Sequence, residues 1–262
     1  MSLIGIFLNI VNVVKNNNRS VSIDFGKYLD NSCNHSAFFY PITESEIINV
    51  LSNLKPTKSS GFDKISSFVI KQVVCYIVTP LRHIFNLSLS SGIVPGKLKI
   101  GKVVPVFKKG DPHSFNNYRP ITLLPSFSKI LEKLVYNRIL SHLNKHQLLF
   151  ESQYGFRNNH SCDLALIELH DQLINNVNNN LHSLGIFLDL SKAFDLVNHQ
   201  ILLSKLKYYG VRGIPLKWFE NYLSNRVQFT TFNSANSSCF LINCGVPQGS
   251  ILVPLLFCIG LC

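Results

Sequence analysis

Carboxylates are scarce in this sequence. Its 262 residues include 14 Asp and Glu against 25 Lys and Arg, which gives a formal net charge of +11. Such an excess of cations favours a polyanionic partner, either nucleic acid or an anionic membrane surface, and charge alone does not separate the two. The apolar content of 46% is enough to bury a sizeable core, so the composition is that of a globular protein.

The sequence also lacks any CxxC pair, and its seven cysteines are odd in number. This argues against a disulfide framework and favours reduced thiols in an intracellular protein. His142 with His146 and Cys239 with Cys244 are close pairs, but neither has a second pair at ligand spacing. We therefore predict no zinc site, and a location in the nucleus or the cytoplasm.

No long apolar run opens the chain. The first such stretch, "MSLIGIFLNIVNVV", is 14 residues long and is interrupted by Asn9 and Asn12. It is too short to span a bilayer, and it lacks the basic start and the cleavage site of a signal peptide. We predict an amphipathic helix packed on the body of the protein, and no membrane partner.

Local signals predict most of the helices and strands. Thr43 and Glu46 form a capping box that predicts a helix over residues 44–54. Pro80 predicts that the apolar segment 66–92 is divided into two helices. The other expected elements are a strand in "KVVPVFKKGD", helices over 128–146 and 163–177, a buried strand over 184–190 running into a helix that ends near Gly210, a helix from Pro215, and an antiparallel hairpin of "RVQFTTF" with "CFLINC". Helices come first and strands later, which predicts an α+β chain.

Asp189 stands at the end of the predicted buried strand. An apolar strand that ends in Asp and leads into a turn commonly presents a carboxylate to a divalent cation. Capping of the following helix explains a lone Asp equally well. The choice between these interpretations depends on the neighbouring sequence.

Five sequence blocks resemble those of one enzyme family. "DLSKAFD" at 189–195 and "GVPQGSILVPLLF" at 245–257 resemble blocks of the reverse transcriptases of non-long-terminal-repeat retrotransposons, most closely the jockey-type lineages. Three earlier blocks keep the family's order and spacing, so the resemblance covers roughly residues 36–257; they are "PITESEIINVLSNLKPTKSSGFDKI", "KVVPVFKKGDPHSFNNYRPITLLPSFSKILEKLVYNRI" and "QYGFRNNHSCDLAL".

The resemblance implies an RNA-directed DNA polymerase with a right-hand fold. Residues 1–35 would be a helical lead-in, 36–182 the fingers, and 183–262 a partial palm, with the thumb missing. Its partners would be an RNA template, a DNA primer and deoxynucleoside triphosphates. A group II intron maturase is a weaker alternative, because "NYRPITLL" and "DLSKAFDLVNH" argue against it.

The resemblance also implies roles for single residues. Asp189 would be the first catalytic aspartate, binding two Mg2+ ions with help from the carbonyl of Leu190. Phe194 would be the aromatic gate that excludes a ribose 2′-OH, although a helix aromatic packed in the core fits the same position. Gln248 and Gly249 would lie at the sugar of the bound nucleotide. Asp195 would have a structural role.

Basic residues complete the implied site. Arg119 and one of Lys108 and Lys109 would bind the triphosphate, and the other lysine would belong to a solvated turn. Arg157 would lie near the backbone of the template or primer. Lys58 either follows the template or belongs to a turn.

The sequence departs from the family in two respects. Val253 replaces the glycine of "GPLLF", and no "ADD" or "VDD" occurs in the 262 residues, where the family has an [F/Y]-x-D-D hairpin. We therefore expect a truncated copy or a partial gene model that is inactive as a polymerase. The alternative function is that of a non-catalytic nucleic-acid-binding remnant.

Overall fold

The computed structural model describes residues 33–114, 117–190, 193–233 and 235–261. The amphipathic helix predicted for residues 1–14 lies outside these ranges. The helices are α1 (Glu44–Asn53), α2 (Ser67–Ser91), α3 (Ser126–Lys145), α4 (Cys162–Asn178), α5 (His199–Tyr208), α6 (Ile214–Leu223) and α7 (Val253–Leu261). The strands are β1 (Ile100–Phe107), β2 (Tyr118–Leu123), β3 (Arg226–Phe232), β4 (Ala235–Asn236) and β5 (Phe240–Ile242).

The strands form one mixed sheet. β1 pairs antiparallel with β2 and parallel with β3, and β3 pairs antiparallel with β4 and β5. The predicted hairpin of "RVQFTTF" with "CFLINC" is therefore confirmed, and so is a fold that combines α-helices with a sheet. Helices and strands alternate more than expected, because β1 and β2 precede five of the helices. β2 lies at one edge of the sheet, so one side of this strand is free of strand partners among the described residues.

The capping box predicted for α1 is present. The Thr43 hydroxyl accepts a hydrogen bond from the Glu46 backbone N–H at 3.2 Å, and the Glu46 carboxylate accepts one from the Thr43 N–H at 3.0 Å. These two bonds satisfy donors that a helix start leaves unpaired. The helix then buries Ile47, Val50 and Leu51 on one face.

The predicted break at Pro80 is wrong, because α2 is a single helix with Pro80 inside it. A proline within a helix costs about 3 kcal/mol, since it removes an N–H and crowds the preceding turn. Here the apolar side chains on both sides of Pro80 enter the same core; they include Ile70, Val78, Leu81 and Phe85. Their shared burial favours one continuous helix over two independent ones.

Helix α2 is also long and apolar enough to cross a membrane, and no other helix of the described ranges meets that test. Helices in the cores of globular proteins often meet it as well. In this fold α2 packs against α1, α3 and α6. Its length and composition are therefore weak evidence for a membrane span.

The buried strand predicted over 184–190 is also wrong. The segment has no regular secondary structure, and Leu184, Phe187 and Leu188 are 88–89% exposed. A strand needs the N–H and C=O groups of a neighbouring strand, and no strand of the described ranges pairs with this one. The helix that follows begins at His199 instead of at the end of this segment, although it does end close to Gly210 as predicted.

The core joins six of the seven helices found in the described ranges. Buried residues of α1, α2, α3, α5, α6 and α7 form one cluster, with Trp218, Phe219 and Tyr222 among its largest side chains. Helix α4 is the exception, since it matches its predicted position but has no buried side chain. The helices predicted over 128–146 and from Pro215 are confirmed as α3 and α6.

Three histidines meet where α3 ends. The rings of His35 and His146 stack at 4.3 Å between centroids, and His142 lies 4.9 Å from His146. The pKa of His146 is lowered by partial burial, and further by His35, His142 and Lys145. The unfolded chain therefore takes up the proton first as the pH falls.

This cluster predicts a pH-dependent stability. The midpoint of thermal unfolding should fall as the pH drops from about 7.5 to about 5.5, through the ordinary histidine pKa of about 6.5. His146→Phe keeps a ring in place and should flatten that dependence, whereas the exposed His182→Phe should not. Differential scanning calorimetry at several pH values measures both variants. If the unfolding midpoint of His146→Phe changed with pH as steeply as that of the wild type, His146 would not be the source of the pH dependence.

Candidate functional site

The "GVPQGS" turn is attached to the segment that follows Asp189. The Val246 N–H donates to the Phe194 carbonyl at 2.9 Å, and the Gly245 N–H donates to the Val197 carbonyl at 2.9 Å. The His199 ring donates to the Gly245 carbonyl at 2.7 Å. A Cβ at Gly245 would lie 2.6 Å from the Asp195 carbonyl oxygen, and its φ is +76°. Only glycine fits this close approach without strain.

The same turn docks on the edge strand β2. The Thr122 N–H donates to the Gln248 carbonyl at 2.8 Å, which satisfies a donor on the free edge of the sheet. Gly249 has φ +119°, and a Cβ there would lie 2.5 Å from the Thr122 carbonyl oxygen. The Gln248 side-chain amide donates to the Asp195 carboxylate at 3.3 Å. Three of the five sequence blocks therefore meet at this turn.

The basic residues predicted for the site lie on the β1–β2 hairpin. Lys108 and Lys109 follow the end of β1, and Arg119 on β2 pairs with Val106. All three cations are exposed, and none forms an ion pair with a described residue. Arg119 precedes Thr122 by three residues, about 10 Å of extended strand. The structure therefore leaves three exposed cations on the hairpin, and Arg119 is the one nearest along β2 to the docked turn.

Phe194 is half-buried within an aromatic cluster. Its ring centroid lies 4.6 Å from that of Phe257 on α7 and 6.1 Å from that of Phe156. These contacts pack one side of the ring, and the rest of the side chain remains accessible. The packing and gate interpretations are therefore both compatible with this position. Asp195, for which a structural role was predicted, is the residue that Gln248 contacts.

Asp189 and Leu190 lie on the exposed segment before this cluster. Within the described part of the chain, the Asp189 carboxylate forms no hydrogen bond or ion pair, and no three metal-ligating side chains come together. A pair of Mg2+ ions requires several carboxylate oxygens at once. The described residues therefore do not compose a two-metal centre by themselves.

Arg157 stabilises its own loop. One of its terminal nitrogens donates to the carbonyls of Phe150 at 2.7 Å and Glu151 at 3.2 Å. Arg157 as a whole residue is half-buried, and both of these hydrogen bonds are exposed, so part of the guanidinium stays accessible.

Lys58 is exposed in the loop over 55–65. That loop packs closely on the start of α3, because a Cβ at Gly61 would lie 2.7 Å from the Pro125 nitrogen. The Ser126 hydroxyl also donates to the Ile65 carbonyl at 3.1 Å. The loop that carries Lys58 thus adjoins the connection that follows β2.

Glu132 was not identified from the sequence. It is 1% exposed, and its carboxylate accepts hydrogen bonds from Ser250 and Ile251, which end the glycine-rich turn. A signal was present, because Ser128, Glu132, Val135 and Ile139 recur at helical spacing and all of them are buried. A charged residue on a largely apolar, buried stripe indicates a paired internal charge.

Comparison with known proteins identifies the family of the chain. A family model described as reverse transcriptase (RNA-dependent DNA polymerase) matches residues 106–261. The chain is 31% identical over 235 residues to the RNA-directed DNA polymerase from mobile element jockey of Drosophila melanogaster, covering 88% of this chain and 25% of that protein. It is 32% identical over 220 residues to the jockey polymerase of Drosophila funebris, covering 84% and 24%.

A third relative is the protein of Drosophila melanogaster named as the probable RNA-directed DNA polymerase from transposon BS. It is 31% identical over 224 residues, which cover 83% of this chain and 24% of that protein. The chain thus matches about a quarter of the length of these relatives. It belongs to the reverse transcriptase (RNA-dependent DNA polymerase) family and is a reverse transcriptase domain of the kind found in non-long-terminal-repeat mobile elements.

Proposed function

We propose that this chain supplies the surface of an RNA-directed DNA polymerase that binds the nucleotide, the RNA template and the DNA primer. The observation that supports this most strongly is the turn Gly245–Ser250, which is hydrogen-bonded both to residues 194–197 and to strand β2. Family membership adds the reaction, namely the addition of deoxynucleotides to a primer. In this proposal residues 36–182 belong to the fingers and 183–262 to the palm of a right-hand fold acting in the nucleus or cytoplasm.

Each side chain of the site has a proposed task. Arg119, with Lys108 or Lys109, binds the triphosphate, because a guanidinium fork matches phosphate oxygens and offsets their charge. Gln248 and Gly249 contact the sugar, and the missing Cβ of Gly249 lets their turn lie against the Thr122 carbonyl of β2. Phe194 lies under the sugar and rejects a 2′-OH by steric collision.

Arg157 and Lys58 extend this cationic surface toward the nucleic acid. In the proposal both side chains contact phosphates of the template or primer, which carry no sequence information. The remaining N–H groups of Arg157 and the exposed Lys58 ammonium are suitable donors for such contacts.

The family is metal-dependent, and we assign the carboxylate of Asp189 and the carbonyl of Leu190 as ligands for Mg2+. Both residues are exposed, so their oxygen atoms are accessible to a hard cation and to further oxygen ligands of that cation. One carboxylate does not hold two divalent ions, which carry four positive charges. We therefore propose that the 262-residue polypeptide by itself does not add nucleotides to a primer.

A non-catalytic nucleic-acid-binding module is the second candidate function. It is favoured by the net charge of +11 and by the exposed cations on the β1–β2 hairpin. Both candidates predict binding to nucleic acid, and only the polymerase predicts a deoxynucleotide site at Gln248. Titration with a deoxynucleoside triphosphate in the absence of nucleic acid therefore separates them.

The proposed nucleic-acid surface predicts binding that depends strongly on salt. Six or more phosphate contacts would weaken the affinity for a primer–template duplex roughly 10³-fold between about 50 and 200 mM salt. Joint replacement of Lys108, Lys109 and Arg119 by Ala should lower the affinity. It should also reduce the slope of log affinity against log salt concentration by up to ~0.9 per lost phosphate contact. Fluorescence anisotropy over a salt series measures both quantities.

A control variant removes the same charge elsewhere. Lys97, Lys145 and Lys207 are exposed cations outside the proposed surface, and their joint replacement by Ala should leave the slope unchanged. Equal effects of the two triple variants would show that only net charge matters. That result would contradict the placement of the nucleic acid on the β1–β2 hairpin.

A further inference from the structure

We infer that Glu132 is the positioning residue that holds the turn of Gln248 and Gly249 in place. The inference rests on the proposed nucleotide site, and it adds a residue on α3 that does not itself touch the nucleotide. The hydrogen bonds of its buried carboxylate reach this turn directly. Glu132 is 1% exposed, so these bonds are shielded from water.

Four donors converge on this carboxylate. One oxygen accepts from the Ser128 hydroxyl at 3.2 Å and from the Tyr222 hydroxyl at 3.0 Å. The other accepts from the Ser250 hydroxyl at 2.8 Å and from the Ile251 N–H at 2.9 Å. Glu132 therefore links α3 and α6 to the residues that directly follow Gly249.

The turn is thereby fixed from two sides. On one side Thr122 of β2 holds the Gln248 carbonyl and leaves no room for a side chain at Gly249. On the other side Glu132 holds Ser250 and Ile251. The Ser250 hydroxyl also accepts from the Leu252 N–H at 3.1 Å, which fixes the start of α7. With both neighbours held, the Gln248 side chain has a defined direction toward Asp195.

The surroundings require a carboxylate at this position. Each of the four partners of Glu132 is able to donate, and an ionised carboxylate accepts without donating. The Tyr222 and Ser250 hydroxyls also lie 2.9 Å apart, so each single hydroxyl hydrogen is directed either to the other hydroxyl or to Glu132. Burial, and then the nearby Glu132 charge, raise the pKa of Tyr222, so its phenol keeps the proton that it donates. A glutamine would turn an NH2 group toward two of the donors. Buried donors that lose their acceptor are costly because water does not replace it.

The test is amide hydrogen exchange on the 262-residue chain. In Glu132→Gln, the N–H groups of residues 246–252 and of Thr122 should exchange at least about tenfold faster than in the wild type. Ser250→Ala removes one of the four bonds to Glu132 together with the contacts of the Ser250 hydroxyl to Leu252 and Tyr222. It should therefore also speed exchange in the same segments, and it guards against a failure of Glu132→Gln to fold. Mass spectrometry of peptides that cover these segments reports both results.

Arg138→Met is the matched control, because Arg138 is a buried charged residue on the same helix. It donates to the carbonyls of Tyr40 and Pro41 and to the Glu46 carboxylate, far along the chain from the turn. This variant should speed exchange over 40–46 and leave residues 246–252 close to wild type. Unchanged exchange in a folded Glu132→Gln protein, or an equal increase in Arg138→Met, would overturn the inference.

Titration with deoxyadenosine triphosphate separates this inference from the proposed function. The affinity should fall at least about tenfold in Glu132→Gln and less than about twofold in Arg138→Met. An affinity that stays unchanged in a Glu132→Gln protein with a loosened turn would overturn the positioning role. If the wild-type chain does not bind the triphosphate, the proposed nucleotide site fails, and the exchange data still decide whether Glu132 holds the turn.

Discussion

Replacing Asp189 with Asn should abolish DNA synthesis in a chimera that carries residues 36–261 in place of the matching part of the jockey polymerase. The amide is neutral and binds divalent cations poorly, while its size is almost that of the carboxylate. A loss of at least about 10³-fold in rate is expected, which corresponds to roughly 4 kcal/mol of transition-state stabilisation. Primer extension on an RNA template measures it, with the unmodified chimera as the reference.

Asp171→Asn in the same chimera is the control. Asp171 is an exposed carboxylate on α4 that has no role in the proposed site. Its replacement by Asn therefore removes the same charge as Asp189→Asn does. Its rate should stay within about twofold of the unmodified chimera. If Asp189→Asn retained more than a tenth of the activity, Asp189 would not be a metal ligand of the reaction.

Replacing Phe194 with Val should allow the chimera to incorporate ribonucleotides. The smaller side chain leaves space for a 2′-OH, and a steric contact of this kind discriminates by about 10 to 200-fold. The ratio of ribonucleotide to deoxynucleotide incorporation should therefore rise by about that factor, with deoxynucleotide use largely retained. Steady-state kinetics with matched pairs of nucleotides gives the ratio.

The packing of Phe194 provides the control for this prediction. The ring centroids of Phe194 and Phe257 lie 4.6 Å apart. Phe257→Val therefore removes similar packing from the other side of the same contact. If Phe194 is only a core residue, both variants should reduce activity without changing the ratio. If it is the gate, only Phe194→Val should change the ratio.

Local signals were enough to predict several elements of the fold. The Thr43–Glu46 capping box is formed by residues three apart, so the sequence contains all the atoms that decide it. The hairpin of β3 with β5 is likewise set by a short turn-rich connection. These elements depend on their neighbours along the chain.

Elements that depend on distant partners were predicted wrongly. Pro80 favours a break, and α2 stays continuous because residues on both sides of Pro80 pack into the same core. The segment 184–190 has the composition of a buried strand, but composition does not supply the hydrogen-bonding partner that a strand requires. Neither outcome follows from local propensity.

The site shows the same division. Gln248 and Gly249 were identified within a short motif that begins at Gly245, and the structure explains both glycines by contacts with Asp195 and Thr122. Glu132 was missed because its partners, Ser250 and Tyr222, lie 118 and 90 residues away along the sequence. Spacing within α3 indicates that the residue is buried, and only the fold shows what it holds.

Binding and primer extension measured on the same sample show whether this polypeptide holds a primer–template duplex without extending it. The unmodified 262-residue chain is mixed with a primer annealed to an RNA template, deoxynucleoside triphosphates, and either Mg2+ or Mn2+. We predict salt-dependent binding of the duplex and no nucleotide added to the primer, because Asp189 is its only assigned carboxylate ligand. Template-dependent extension that Asp189→Ala abolishes, or a failure to bind the duplex at low salt, would contradict this account.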